Sequence, residues 1–220
     1  MREILLVNPN TSAETTSMMV DIARAVAPPD YRVSGATAAR GVPMIVNAER
    51  LDAAGYEVVQ SWRSYVGKVD GVIIGAFGDP GIHRLRSLAK TPVVGICEAS
   101  ILEASQGDRR FGIATVTPDL VEPIDAKVRE LGVANRYTGV RLTCGDPLAL
   151  AGNARALEDA LAHAVTECVE RDGAQAVVIG GGPLGQAAIG LANRFSLPII
   201  APIPAAMRRL VKLLANGSTM

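Results

Sequence analysis

A chain of 220 residues, 49% of them hydrophobic, is long enough to bury one large core or two small ones. Its 22 Lys and Arg balance its 22 Asp and Glu, and aromatic residues make up 4%, so neither charge nor stacking argues for nucleic acid or an anionic membrane as a partner. No apolar run reaches the roughly 18–20 residues that span a bilayer, and MREILLVNPN lacks the length and cleavage pattern of a signal peptide; the expectation is a cytoplasmic protein.

In chain order, EILLVN (3–8) reads as a buried strand that stops at Asn8-Pro9-Asn10-Thr11. Thr11 and Ser12 suit the cap of the amphipathic stretch 13–27. Tyr31–Ala36 offers a further strand, and 49–67 a further helix. GVIIG (71–75) then runs into the turn Ala76-Phe77-Gly78-Asp79. Asp79 can fix that turn and cap the next helix, with Pro80 at its first position, or serve as an acid at the end of the strand. His83, about one turn along, suits a solvated helix face. PVVGI (92–96) is followed by Cys97, which reads as a small buried residue, and by Glu98. Glu98 is the carboxylate best placed to point at a cleft, and it also suits the N-terminal region of a helix over 99–105.

The second half repeats the pattern. FGIAT (111–115) leads to Thr117, with Thr115 reading as structural, and 119–131 reads as a helix. Val140–Leu142 is a candidate strand, after which Cys144 could approach a cleft. The helix 153–172 carries Cys168 on its apolar side. AVVIG (176–180) ends in Gly181-Gly182-Pro183. Gly180, Gly182 and Gly185 satisfy the spacing of a dinucleotide loop, but Pro183 removes an N–H and SLPIIAPIPA offers no acid for a ribose. The glycines more simply allow close approach of the backbone to a small ligand. PIIAP (198–202) is the last strand, and Met207, Leu210, Val211 and Leu214 recur at helical spacing over 205–215.

Ile4, Val72 and Pro92 have counterparts at Phe111, Val177 and Pro198, offsets of 107, 105 and 106 residues. Alternating strands and helices with this duplication predict an α/β fold of two pseudo-symmetric, doubly wound lobes with mainly parallel sheets. The lobes would span 1–105, with 203–220 packing back on the first, and 106–202. Ligands of such sheets bind beyond the carboxyl ends of the strands, so an active-site cleft is expected between the lobes. The substrate-binding candidates are Pro9, Asn10, Thr11, Ala76, Phe77, Gly78, Thr117, Gly181, Gly182 and Pro183. His83 and His163 lie far apart, and no Cys/His/Asp cluster has zinc spacing, so no metal is expected. Three dispersed cysteines argue against a disulfide framework.

VNPNTS, GAFGDPG with PVVGICEAS after it, and RFGIATVTP, in that order, resemble the Asp/Glu/hydantoin racemase superfamily over nearly the whole chain, closest to its hydantoin and allantoin racemase branch. The resemblance implies two α/β lobes around a small-molecule substrate, homo-oligomers, and no cofactor. It also implies one cysteine after a strand in each lobe, one thiolate removing the Cα proton and the opposite thiol returning one. Those cysteines would fall at Ala76 and Gly181, so the two-thiol mechanism is expected to be absent. Glu98 and Asp79 are then the candidate catalytic groups. Three functions stay open: an isomerase acting on a hydantoin-like or amino-acid-derived substrate through other groups, a hydrolase or lyase of a (thio)hydantoin or other cyclic ureide, and a catalytically silent small-molecule binding protein.

Overall fold

A computed structural model describes residues 1–217. The first half runs β1 (Arg2–Asn8), α1 (Ala13–Val26), β2 (Tyr31–Thr37), α2 (Ala48–Ser64), β3 (Gly71–Ile74), α3 (Ile82–Leu88), β4 (Val93–Gly95) and α4 (Ile96–Ala104). The second runs β5 (Phe111–Thr115), α5 (Val121–Glu130), β6 (Tyr137–Leu142), α6 (Pro147–Ala151), α7 (Ala154–Glu170), β7 (Ala176–Ile179), α8 (Gly185–Leu191), β8 (Ile199–Ile200) and α9 (Pro202–Asn216). Among the described residues these strands form two four-stranded parallel sheets, ordered β2-β1-β3-β4 and β6-β5-β7-β8. The repeat in the sequence is thus a repeat of topology. Ile4 lies opposite Val33 and Gly71, as Ile113 lies opposite Val140 and Val178.

The strands are apolar on both faces because helices cover both. Leu5, Val7, Val72 and Ile74 face α2 and α3, while Ala114, Val177 and Ile179 face α7 and α8. The opposite faces share one core, in which Ile4, Leu6 and Ile73 join Phe111, Ile113 and Val178. The shared element is α4. Ile96 to Ile101 are all buried, and the helix contacts α9, α5, β4, β7 and β8. Six consecutive buried residues make most of this helix a core element, and here it packs between one half and the other. The last helix, α9, packs on α1, α4, β3 and β4; residues 218–220 of the expected returning segment lie outside the described residues.

Several boundaries differ from the sequence reading. Helix α4 starts at Ile96 directly after β4, so Glu98 lies inside its first turn and not ahead of a helix beginning at 99. PIIAP yields a strand of two residues, because Pro202 and Pro204 cannot extend it and instead start α9. Helix α3 begins at Ile82 after Gly81, whose φ of 72° makes it the cap residue, so Pro80 is not the first helical position.

Candidate functional site

The carboxyl ends of β1, β3, β5 and β7 converge between the two sheets on one pocket. Asn10 follows β1, Gly75, Ala76 and Phe77 follow β3, Val116 and Thr117 follow β5, and Gly180 to Leu184 follow β7. Met44 and Ile45, from the connection between β2 and α2, and Leu120 and Ile124, around α5, complete the wall. Of the expected ligand contacts, the pocket gathers Asn10, Ala76, Phe77, Thr117, Gly181, Gly182 and Pro183. Pro9, Thr11 and Gly78 do not line it. The cavity measures about 50 Å³, whereas pockets for drug-sized ligands are about 300–1,000 Å³. It is therefore narrow, with room for a few water molecules.

Polar chemistry in the pocket is sparse and oriented. Asn10 Oδ1 accepts the Ser12 N–H at 2.9 Å and the Asn8 Nδ2 donor at 2.8 Å. The backbone donor fixes the amide orientation, leaving Asn10 Nδ2 as the group to offer a ligand. Asn8 also donates to the Ser12 carbonyl and to Thr16 Oγ1, so a buried network holds Asn10 against the first turn of α1. Ser12 caps that helix, accepting from Thr15 N at 3.1 Å. On the other side, Thr115 donates its hydroxyl to the Gly180 carbonyl at 2.6 Å, tying β5 to the glycine turn. Its proton is thereby committed, so in the 3.4 Å contact between the two hydroxyls Thr117 is the donor. The lone pairs of Thr117 remain for a ligand N–H.

Asp79 and Glu98 do not line the pocket. Asp79 does not cap α3. Its carboxylate accepts the N–H groups of Cys97 at 2.8 Å and Glu98 at 2.7 Å, capping α4 from 18 residues away. Gly95 makes room for this, since a Cβ there would collide with that carboxylate. Burial pushes the Asp79 pKa up to about 7, against the pull of the two N–H donors. Holding the turn requires Gly78 (φ 109°), Asp79 (φ 52°) and Gly81 (φ 72°) in left-handed backbone. Glu98 is 4% exposed and takes Arg86 Nη2 at 2.5 Å. Arg86 also bonds the Val93 carbonyl, so this pair fastens α3 to β4. His83 is exposed and reaches Glu130 Oε1 of α5 at 3.0 Å.

Cys97 and Cys168 are buried, and Cys144 is exposed and does not line the pocket. Burial, and secondarily the charge of Asp79, drive the Cys97 thiol well above its ordinary pKa. Among the described residues no three His, Cys, Asp or Glu side chains stand together as a metal site, and no helix is long and apolar enough to cross a membrane. Gly182 abuts the Gly75 carbonyl, so the glycine turn packs against the turn after β3 of the other sheet. The apolar walls Met44, Ile45, Leu120, Ile124 and Leu184 escaped the sequence reading. For the first two, the apolar run PMIV between a glycine and the Asn47 cap was the available signal.

The family model described as Asp/Glu/Hydantoin racemase matches residues 4–210. The hydantoin racemase of Paenarthrobacter aurescens is 29% identical over 216 residues, covering 97% of this chain and 92% of the relative. The solved structure of an allantoin racemase from Klebsiella pneumoniae superposes with a TM-score of 0.93 at 29% identity, over 99% of this chain and 89% of that one. The allantoin racemase of Pseudomonas fluorescens gives the same TM-score at 26% identity, over 98% and 92%.

Proposed function

This chain belongs to the Asp/Glu/hydantoin racemase family, and from that premise we propose that its pocket holds a small cyclic imide or ureide without racemising it through a thiol pair. The observation that carries this reading is the pocket lining. It contains one amide and one hydroxyl side chain, Asn10 and Thr117, and among the described residues no ionisable side chain. At the two positions where the family resemblance expects thiols stand Ala76 and Gly181. A hydantoin edge alternates C=O and N–H. Asn10 Nδ2 suits the carbonyl, and the Thr117 hydroxyl suits the adjacent N–H. The apolar wall suits a hydrocarbon substituent on the ring.

Removing a proton α to a carbonyl requires a base within hydrogen-bond reach of it. Asp79 and Glu98 are committed to the α4 cap and to Arg86, and in this reading they serve the fold. The cavity of about 50 Å³ is smaller than a hydantoin with its side chain, so in this reading the lining side chains move outward to admit the ligand.

The test is to incubate the protein with each enantiomer of a 5-substituted hydantoin in heavy water. Binding is followed by calorimetry, and C5 deuterium uptake and ring opening by NMR. Saturable binding without rapid exchange is expected. Rapid exchange would overturn the absence of proton chemistry, and ring opening would assign a hydrolase.

A further inference from the structure

A second concavity of about 440 Å³ lies among α4, the β8 region and α9, within the range of about 300–1,000 Å³ that small-molecule sites occupy. It shares no lining residue with the inter-sheet pocket. Its rim carries four cations, Arg109, Arg208, Arg209 and Lys212, and one carboxylate, Glu103. Its floor is apolar, built by Ala99 and Leu102 of α4 and by Pro198 and Ile200 at β8.

The charges on this rim are not balanced. Arg208 takes both Glu103 oxygens, Nε at 3.0 Å and Nη2 at 2.6 Å, so the one acid is spent. Arg109 is held in place by the α4 carbonyls of Glu103 and Ala104 and keeps its charge. Arg209 and Lys212 have no carboxylate partner among the described residues, and Arg209 Nε is buried with no hydrogen-bond partner. An unsatisfied buried donor carries a desolvation cost that an incoming acceptor removes. Guanidinium groups in fork geometry match phosphate oxygens.

We propose that this groove is a binding site for an organic phosphate, with the phosphate held by Arg209, Lys212 and Arg109 and a flat apolar body resting on Leu102, Pro198 and Ile200. The groove is built from α4 and α9 on one side and β8 on the other, so the occupant bridges the two halves of the molecule. This site is independent of what the inter-sheet pocket binds.

Calorimetry at fixed ionic strength, with adenosine 5′-monophosphate and inorganic pyrophosphate as probes, tests it. Saturable binding of both is expected, tighter for the nucleotide because only it covers the apolar floor. R209Q should weaken both by about tenfold or more. K212E, at an exposed helix position that leaves the fold unchanged, should do likewise. Both affinities should fall as salt rises. No saturable binding up to about 10 mM, or K212E binding as tightly as the parent, overturns the proposal. So does sedimentation showing the groove covered by a second copy that the probes do not displace.

Discussion

Gly182 packs against the carbonyl of Gly75, so closely that a Cβ built on Gly182 would stand 2.5 Å from that oxygen. The contact joins the turn after β7 to the turn after β3, across the sheet-to-sheet boundary. Both residues line the pocket. The neighbour is backbone, so a side chain cannot be accommodated by a rotamer change. Gly182→Ala should therefore wedge the halves apart and cost about 1–3 kcal/mol, the usual penalty of overpacking. Urea denaturation measures the loss. Unchanged stability would mean that the boundary yields freely.

Asp79 gives a pH signature. Its folded pKa, about 7, lies above the ordinary carboxyl value of 3.8. A carboxyl whose pKa is raised by folding contributes stability that is fully present below the unfolded pKa, and loses it as pH climbs through the folded one. That contribution is thus lost between about pH 4 and 7, on the order of 4 kcal/mol over the whole window. Asp79→Asn abolishes the titration. It also turns an amide donor toward one of two buried N–H groups, at a cost of about 1–3 kcal/mol. The stability advantage of the parent over the variant should shrink as pH rises across this window. An advantage that grows with pH would show that the two N–H bonds outweigh burial.

The main strands could be read from the sequence because each is a short apolar run ended by a turn, and the constant offsets gave their pairing into two sets. What local pattern could not give was contact across distance. Asp79 has the look of a cap for the helix that follows it, yet it caps α4, because β3 and β4 are neighbours in the sheet and Gly95 leaves space for a carboxylate. Glu98 follows a strand, as a cleft carboxylate would, yet α4 begins at Ile96 and turns it to Arg86. The strand-end residues of the pocket were legible from the rule for parallel sheets. Leu120, Ile124 and Leu184 were not, because an apolar residue near a pocket has the same sequence signature as one in the core.

Asn10 separates holding the fold from holding a ligand. Asn10→Asp keeps the oxygen that accepts from Ser12 N and removes the amide donor that the proposed function gives to the ligand. It also puts a negative charge beside the ligand carbonyl. Affinity for a hydantoin should fall by about 0.5–1.5 kcal/mol or more, with the thermal midpoint little changed. Thr117→Val should lose a similar amount. Calorimetry on both variants checks this, and unchanged affinity in both would place the ligand elsewhere.

Ala76 and Gly181 line one pocket from the turns after β3 and β7. On the proposed reading, in which neither position supplies a thiol, the parent should exchange the C5 hydrogen of a hydantoin very slowly, because losing a general acid–base group costs about 10²–10⁴-fold. Ala76→Cys adds a thiol where a Cβ already exists, so it should fold normally and restore exchange from one face only. Gly181 has φ 167°, extended backbone open to any residue. The obstacle to Gly181→Cys is Leu184, whose Cγ would lie 2.9 Å from the new Cβ. A leucine side chain can rotate away, so this variant should also fold, at a modest cost in stability. The double variant should then racemise, losing optical rotation while taking up deuterium from both enantiomers. If it binds a hydantoin and folds but exchanges no faster than the parent, the two positions do not face opposite sides of the ring, and the thiol-for-thiol correspondence fails.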